Sequence, residues 1–342
     1  MSRLLAILLA LFTASPALAR PLVVILADAR GTETTDLVAP YAVLAESGTV
    51  EVKIIAPTLA PVRLMPGKAW VRPQATFAQL TREPDVVVIP FMMPAYDPVR
   101  DAWLRERAKR GARIVAICAG AETLARGGLL NGREATTHWF ELKRLAKAYP
   151  NVRWRRDRRW IVDGPITTTA GVTASIPASL ALLRDLAGEE VMRATAARLG
   201  VPLPVQAHDG AAFRVGTDAA MTGLSGWANA WRGEKVAVRI TDGFDDLAFA
   251  TALDAWSRTN RSEAFPSQGA VSRHRLAVIA PEKLPRAGRM VEPRNGDPTT
   301  ALNDIAAAYG KATARYVALT LEHPYWLEVT RAPPRTPPRS WP

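Results

Sequence analysis

The feature that most constrains this chain is a set of short aliphatic runs separated by helix-length segments. Leu22 to Ala27 (LVVILA), Asp85 to Pro90 (DVVVIP) and Arg113 to Ile117 (RIVAI) are continuous β-branched and aliphatic stretches. They do not alternate apolar with polar residues, so they suit strands buried on both faces, as in a parallel sheet covered by helices. Thr34-Thr35-Asp36 offers N-capping side chains to a helix running to about Ser47, with Gly48 as its stop. Val52 to Ala56 reads as another strand, and Pro98 to Arg110 as a helix closed by Gly111. Strands alternating with helices predict an α/β fold, a three-layer sandwich around a mostly parallel sheet.

The pattern continues with a helix from about Glu122 to Arg126, a short strand at Glu134 to Thr137, and a helix from Phe140 to Ala148. Val152 to Val162 reads as a β-hairpin turning at Asp163-Gly164 into Ile166 to Thr169, and Ser175 to Leu186 and Glu189 to Leu199 read as helices. The first domain, 20–200, closes near Gly200. Val201-Pro202-Leu203-Pro204 resembles a linker into a β/α extension, 201–331. There Lys235 to Thr241 is a strand, and the helix from Asp245-Asp246-Leu247 to Trp256 echoes Asp36-Leu37 and its helix. Ile279-Ala280-Pro281 repeats Ile55-Ala56-Pro57, which suggests a degenerate partial duplication of the first βαβ unit. A partial copy cannot cover its own sheet, so its apolar strands must bury against the first domain or a partner. The end of the chain, 332–342, is too rich in proline to fold and reads as a disordered tail.

Residues 1–19 read as an export signal: Arg3 supplies the charge, Leu4 to Phe12 the short apolar core, and Ala17-Leu18-Ala19 a cleavage site before Arg20. The expected location is periplasmic or secreted. The chain carries +12 at neutral pH, which favours anionic surfaces or ligands through its overall field without implying nucleic acid. Its densest basic run, Arg153 to Trp160 (RWRRDRRW), reads as a nucleic-acid patch or, by its alternation, as the solvated face of a hairpin. A single cysteine, Cys118, excludes an intramolecular disulfide and a cysteine-cluster metal site. His208, His274 and His323 show no ligand-like spacing, and no glycine-rich phosphate loop opens a helix, so neither metal nor cofactor is expected.

The chemistry concentrates at Ala116-Ile117-Cys118-Ala119-Gly120, where a thiol sits between a buried strand and a helix among small neighbours. A sharp strand-to-helix turn needs such neighbours, because the central residue takes a strained conformation and the chain packs closely around it. The helix N-terminus is expected to depress the thiol pKa, and the amides of Ala119 and Gly120 to receive developing negative charge. The alternative is an inert buried cysteine.

The stretch AICAGAETLARGGLLNGREATTHW (Ala116 to Trp139), with ITTTAGVTASIPASLALL (Ile166 to Leu183), resembles the ThiJ/PfpI family of the class I glutamine amidotransferase-like, flavodoxin-like fold. The nearest branch holds isocyanide hydratases and the sensor domains of AraC-type transcription regulators. The resemblance covers about Leu22 to Gly200. It implies that Asp36, four residues before Pro40, points a carboxyl at the thiol, a position that would otherwise read as a helix N-cap. It also implies that His138 of the Thr-Thr-His motif lies near Cys118, where a structural hydrogen bond is the alternative to a direct role. Family peptidases place a histidine directly after the cysteine, and Ala119 stands there instead. Ser175-Ile176-Pro177 replaces the Gly-Ile-Asp usual in the hydratase and regulator branch, and the region after Gly200 lacks the regulators' helix-turn-helix pattern.

These features predict an exported protein that acts through Cys118, Asp36 and His138 on a small electrophile, as a hydrolase or a hydratase-like lyase. The alternative is a non-catalytic ligand-binding or redox-sensing module. The expected partner is a small-molecule substrate or ligand, with homodimerisation left open. Nucleic acid, and stable membrane insertion after signal removal, are not expected.

Overall fold

The computed structural model describes residues 19–228 and 233–325, so all but the last residue of the expected export signal, and the whole proline-rich tail, lie outside the described residues. The aliphatic runs are strands of one seven-stranded sheet. Strands β1 (Leu22–Leu26), β2 (Glu51–Ala56), β3 (Val86–Ile89) and β4 (Arg113–Ala116) are parallel. At one edge β5 (Trp160–Asp163) runs antiparallel to β6 (Ile166–Thr169), which itself is parallel to β4. The spatial order is β5-β6-β4-β3-β1-β2, then the two-residue strand Ala75–Thr76.

The helices are α1 (Thr34–Glu46), α2 (Pro98–Lys109), α3 (Ala121–Arg126), α4 (Trp139–Ala148), α5 (Ser175–Ala187) and α6 (Glu189–Leu199). Because successive strand side chains point to opposite faces, β1 feeds two cores. Val23 and Ile25 pack with Leu37, Leu44, Leu180 and Met192 of α1, α5 and α6, whereas Leu22, Val24 and Leu26 pack with Leu104 of α2 and Leu124 of α3. That is the doubly covered sheet its uninterrupted aliphatic sequence requires.

The second half repeats part of this plan. Strand β7 (Glu234–Val238) lies between β8 (Ser262–Pro266) and β9 (Arg289–Val291), all parallel, just as β1 lies between β2 and β3. Helix α7 (Asp246–Ser257) packs on α1, and Leu247, Phe249, Leu253 and Trp256 join the core that holds Val23 and Leu37. The two halves therefore share one apolar interior. Helices α8 (Pro298–Tyr309) and α9 (Lys311–Thr320) follow.

Three local expectations are corrected. The cap of α1 is Glu33, whose carboxylate accepts the Asp36 N–H, and not the Thr34-Thr35-Asp36 side chains. The Ile279-Ala280-Pro281 echo has no structural counterpart: Ile279 ends the strand Ala277–Ile279, which pairs antiparallel with Ala69–Val71 and stitches the halves together, while the partner of β2 in the repeat is β8. The basic run is not one hairpin strand. Arg153–Trp154 pairs in parallel with Glu134–Ala135, and only Trp160–Asp163 folds against Ile166–Thr169. Three of its five arginines meet carboxylates, with Arg155 on Glu134 and Asp157, Arg158 near Asp157 and Arg153 near Asp163.

Candidate active site

Cys118 follows β4 with φ of 56°, a left-handed conformation that a side chain adopts only under constraint. Two strands and a neighbouring loop supply that constraint. The Cys118 N–H donates to Thr169 Oγ1 at 3.1 Å, and Thr137 Oγ1 donates to the Cys118 carbonyl at 3.1 Å. The Thr136 N–H donates to Thr168 Oγ1 at 2.9 Å, so the two threonine runs brace the elbow from both sides. Gly120 is required by space: a Cβ there would lie 2.3 Å from the Ile89 carbonyl oxygen and 3.0 Å from that of Pro90.

The thiol lies on the wall of a cavity of about 450 Å³, which also receives Glu33, Phe91, Ala119, His138 and, from the second half, Arg258. Asp36 is fully buried behind that wall. Its Oδ2 accepts the Phe91 N–H at 3.1 Å and its Oδ1 has no hydrogen-bond partner. Burial pushes the Asp36 carboxyl up to about 7, although the Phe91 N–H and the Glu33 side chain act against the shift. Burial likewise raises the Glu33 carboxyl well above its usual range, helped by the charges of Asp254 and Asp36.

Arg258 is the counterweight. Its Nη2 donates to Glu33 Oε1 at 2.6 Å and its Nε pairs with Asp254, whose Oδ2 accepts from Thr35 Oγ1 at 2.6 Å. Burial works against the guanidinium charge, and Asp254 and Glu33 more than offset it. Neither Glu33 nor Arg258 was among the sequence candidates. Glu is an uncommon cap beside Thr and Asp, and Arg258 reaches the site from 225 residues away with no local motif to mark it.

The structure changes three expectations about the predicted residues. Cys118 is not held as a thiolate: burial pushes its thiol well above the ordinary range and the charges of Asp36 and Glu33 add to this, while the Ala119 amide and the Arg258 guanidinium act against it. The helix expected to lower it, α3, follows a single 3-10 turn at Cys118–Gly120 and has only six residues, too short to dominate burial. Of the two amides expected to meet negative charge, that of Gly120 is spent on the Ile117 carbonyl at 2.8 Å. His138 lines the cavity with both ring nitrogens engaged: Nδ1 accepts the Phe140 N–H at 3.2 Å and Nε2 donates to the Thr320 carbonyl at 3.1 Å. Burial lowers its pKa, so it stays neutral and has no free lone pair to take a proton.

The back of the site is tied down by Glu322, just after α9. One of its oxygens accepts from the Gly171 and Trp139 amides at 2.7 and 3.1 Å, and the other lies 2.7 Å from His208 Nε2. A Cβ at Gly171 would come within 2.3 Å of that carboxylate. Among the described residues no group of three or more His, Cys, Asp or Glu side chains is placed to hold a metal ion, and no helix is long and apolar enough to cross a membrane.

Residues 22–185 match the family model described as the DJ-1/PfpI family. An isonitrile hydratase from Pseudomonas putida is 31% identical over 159 residues, which span 45% of this chain and 67% of that protein. The HTH-type transcriptional regulator CdhR from Pseudomonas aeruginosa is 33% identical over 107 residues, and the chain spans only 32% of its length. Among solved structures, a ThiJ/PfpI family protein from Pseudomonas syringae aligns with a TM-score of 0.48 and 24% identity, over 57% of this chain and 81% of that one. Matched by that family model over residues 22–185 and by the isonitrile hydratase over 67% of its length, the chain belongs to the DJ-1/PfpI family.

Proposed function

We propose that this protein is an exported, cysteine-dependent enzyme that adds water to a small electrophile, with an isonitrile as the first candidate substrate. The observation that carries the reading is the elbow thiol of Cys118 on the cavity wall, backed by a buried carboxyl, Asp36, that titrates near neutrality. Because the resting group is a thiol, it needs a base before it can attack. The Asp36 carboxylate fits that need, together with Glu33, which lines the cavity and accepts the Asp36 N–H. Sulfur bonds to the terminal carbon of the isonitrile while the S–H proton passes through the carboxyls to the same carbon, giving a thioimidate. Water then adds to that carbon, the carbon–sulfur bond breaks, sulfur regains a proton and an N-substituted formamide leaves. The Ala119 amide stabilises charge on sulfur as it leaves.

Formamide production from a small alkyl isonitrile tests this directly. Cys118→Ser and Asp36→Asn are each expected to lower kcat/KM by at least about a hundredfold, and the wild-type value to rise through pH ~7 as Asp36 ionises. A chain that yields no formamide refutes the reading. The protonated resting thiol favours one second reading, a ligand-binding module that does not turn over, for which a tight complex without product is the signature. Export is part of the proposal. Intact mass of protein recovered from outside the cytoplasm is expected to begin near Arg20, and a cytoplasmic chain retaining Met1 refutes it.

A further inference from the structure

The cavity that holds Cys118 does not end at Arg258. Ser257 and Asn260 line it and also line a second cavity of about 290 Å³, so the two are neighbouring chambers that meet at these two residues. This junction is firmly placed. Asn260 is left-handed, with φ of 55°, and its Nδ2 donates to Tyr316 Oη at 2.9 Å. Gly67, also in a left-handed conformation, lets the 66–68 turn lie against Leu253 and Ser257. The two chambers differ in charge. Beside the thiol, among the described residues, Glu33 and Asp254 pair with one cation, Arg258, and Asp36 lies near it. Among the described residues, the second chamber is lined by Arg63, Lys68 and Lys235 with one carboxylate, Glu263. Both lysines lean on the same oxygen of Glu263, at 2.9 Å each, and one carboxylate cannot neutralise three cations.

We propose that the second chamber is an anion subsite for the distal end of the molecule that Cys118 attacks, and that the substrate class is a small electrophile with an uncharged reactive head and a carboxylate or phosphate tail. The acidic wall beside the thiol disfavours an anionic head, and the paired lysines favour an anionic tail. This rests on Cys118 as the reacting group, but not on any particular turnover. Neither half builds the subsite alone, since Arg63 and Lys68 come from the first half and Lys235 from the repeat.

The test is the labelling rate of Cys118 in the full-length protein with iodoacetamide and with N-iodoacetyl-β-alanine, which carries the same reactive head and a carboxylate tail. The anionic reagent is expected to react about fivefold faster at low salt. The rate ratio should fall to about one at ~0.5 M salt and in the Lys68→Gln, Lys235→Gln double variant, whose side chains are both partly exposed and do not support the core. Competition by inorganic phosphate against the anionic reagent alone would mean that a phosphate tail is accepted as well. Equal rates in the wild type, a preference that survives in the double variant, or a thiol that neither reagent reaches overturns the proposal. Labelling without any formamide production instead refutes the hydratase reading and leaves the subsite standing.

Discussion

Asp36 and Cys118 are linked by charge as well as by position, and that link has measurable consequences. Iodoacetamide rates against pH are expected to give a midpoint above the ~8.5 of a free thiol, and Asp36→Asn to move that midpoint down, because the variant removes the first of the charges that oppose the thiolate. A midpoint below that of a free thiol, or one indifferent to Asp36, contradicts this account. Folding stability carries a second signature. Asp36 titrates near 7 in the folded chain and near 4 when unfolded, so between those values the folded state keeps a proton that the unfolded state has lost. The stability contributed by this group is complete below pH ~4 and falls as pH rises to ~7. In urea titrations Asp36→Asn should therefore gain on the wild type as pH rises across that window, and a constant difference would show the carboxyl to be unperturbed. At this scale the sequence exposed Cys118 through its small neighbours and Asp36 through family resemblance. Glu33 and Arg258 were invisible, and with them the acidic surroundings that reverse the expected thiol shift.

The elements around the elbow were legible because their burial is extreme. A strand such as β1, covered on both faces, has to be aliphatic throughout, and the sequence shows it. Strands of two to four residues, such as Val62–Met65, Ala69–Val71 and Ala270–Val271, alternate too briefly to be read, yet they form the sheet that joins the halves. The tightness of the turn after β4 gives a prediction for Gly120→Ala. The atoms that the new methyl meets are backbone carbonyls of Ile89 and Pro90, which cannot swing aside as a side chain would. The variant is expected to lose about 2–4 kcal/mol of stability and to displace the thiol. Thr137→Val keeps the shape but leaves the Cys118 carbonyl without its donor, and should cost about 1–2 kcal/mol. Chemical denaturation of the two variants checks both the sizes and their order; a Gly120→Ala chain as stable as the wild type would mean the elbow is looser than its geometry indicates.

At the scale of the whole molecule, the repeat acts as a permanent partner for the first half. The sequence hinted at this through Asp246-Leu247, but which surfaces meet depends on pairs such as Thr35 with Asp254 and Glu33 with Arg258, more than 200 residues apart, and no local pattern encodes them. The copy has kept a buried acid without the chemistry: Asp246 faces His274 Nδ1 at 2.6 Å, and the repeat has no cysteine. What it supplies instead is cover and charge. Leu247, Phe249, Leu253 and Trp256 are almost wholly buried in the common core, each worth about 1.5–3 kcal/mol of burial. Ending the chain at Gly200 would bare the α1 face they cover and also remove Arg258, leaving Glu33 without its cation. The truncated protein is therefore expected to aggregate on expression although Cys118, Asp36 and His138 all remain. Arg258→Met in the full chain separates the two effects. It keeps the apolar cover, should stay soluble, and should lose about 3–5 kcal/mol because Asp254 and Glu33 are left without their partner. A truncated chain that is soluble, monomeric and as heat-stable as the full protein would make the second half an independent module, and an Arg258→Met chain with unchanged stability would remove the cation from the account of the site.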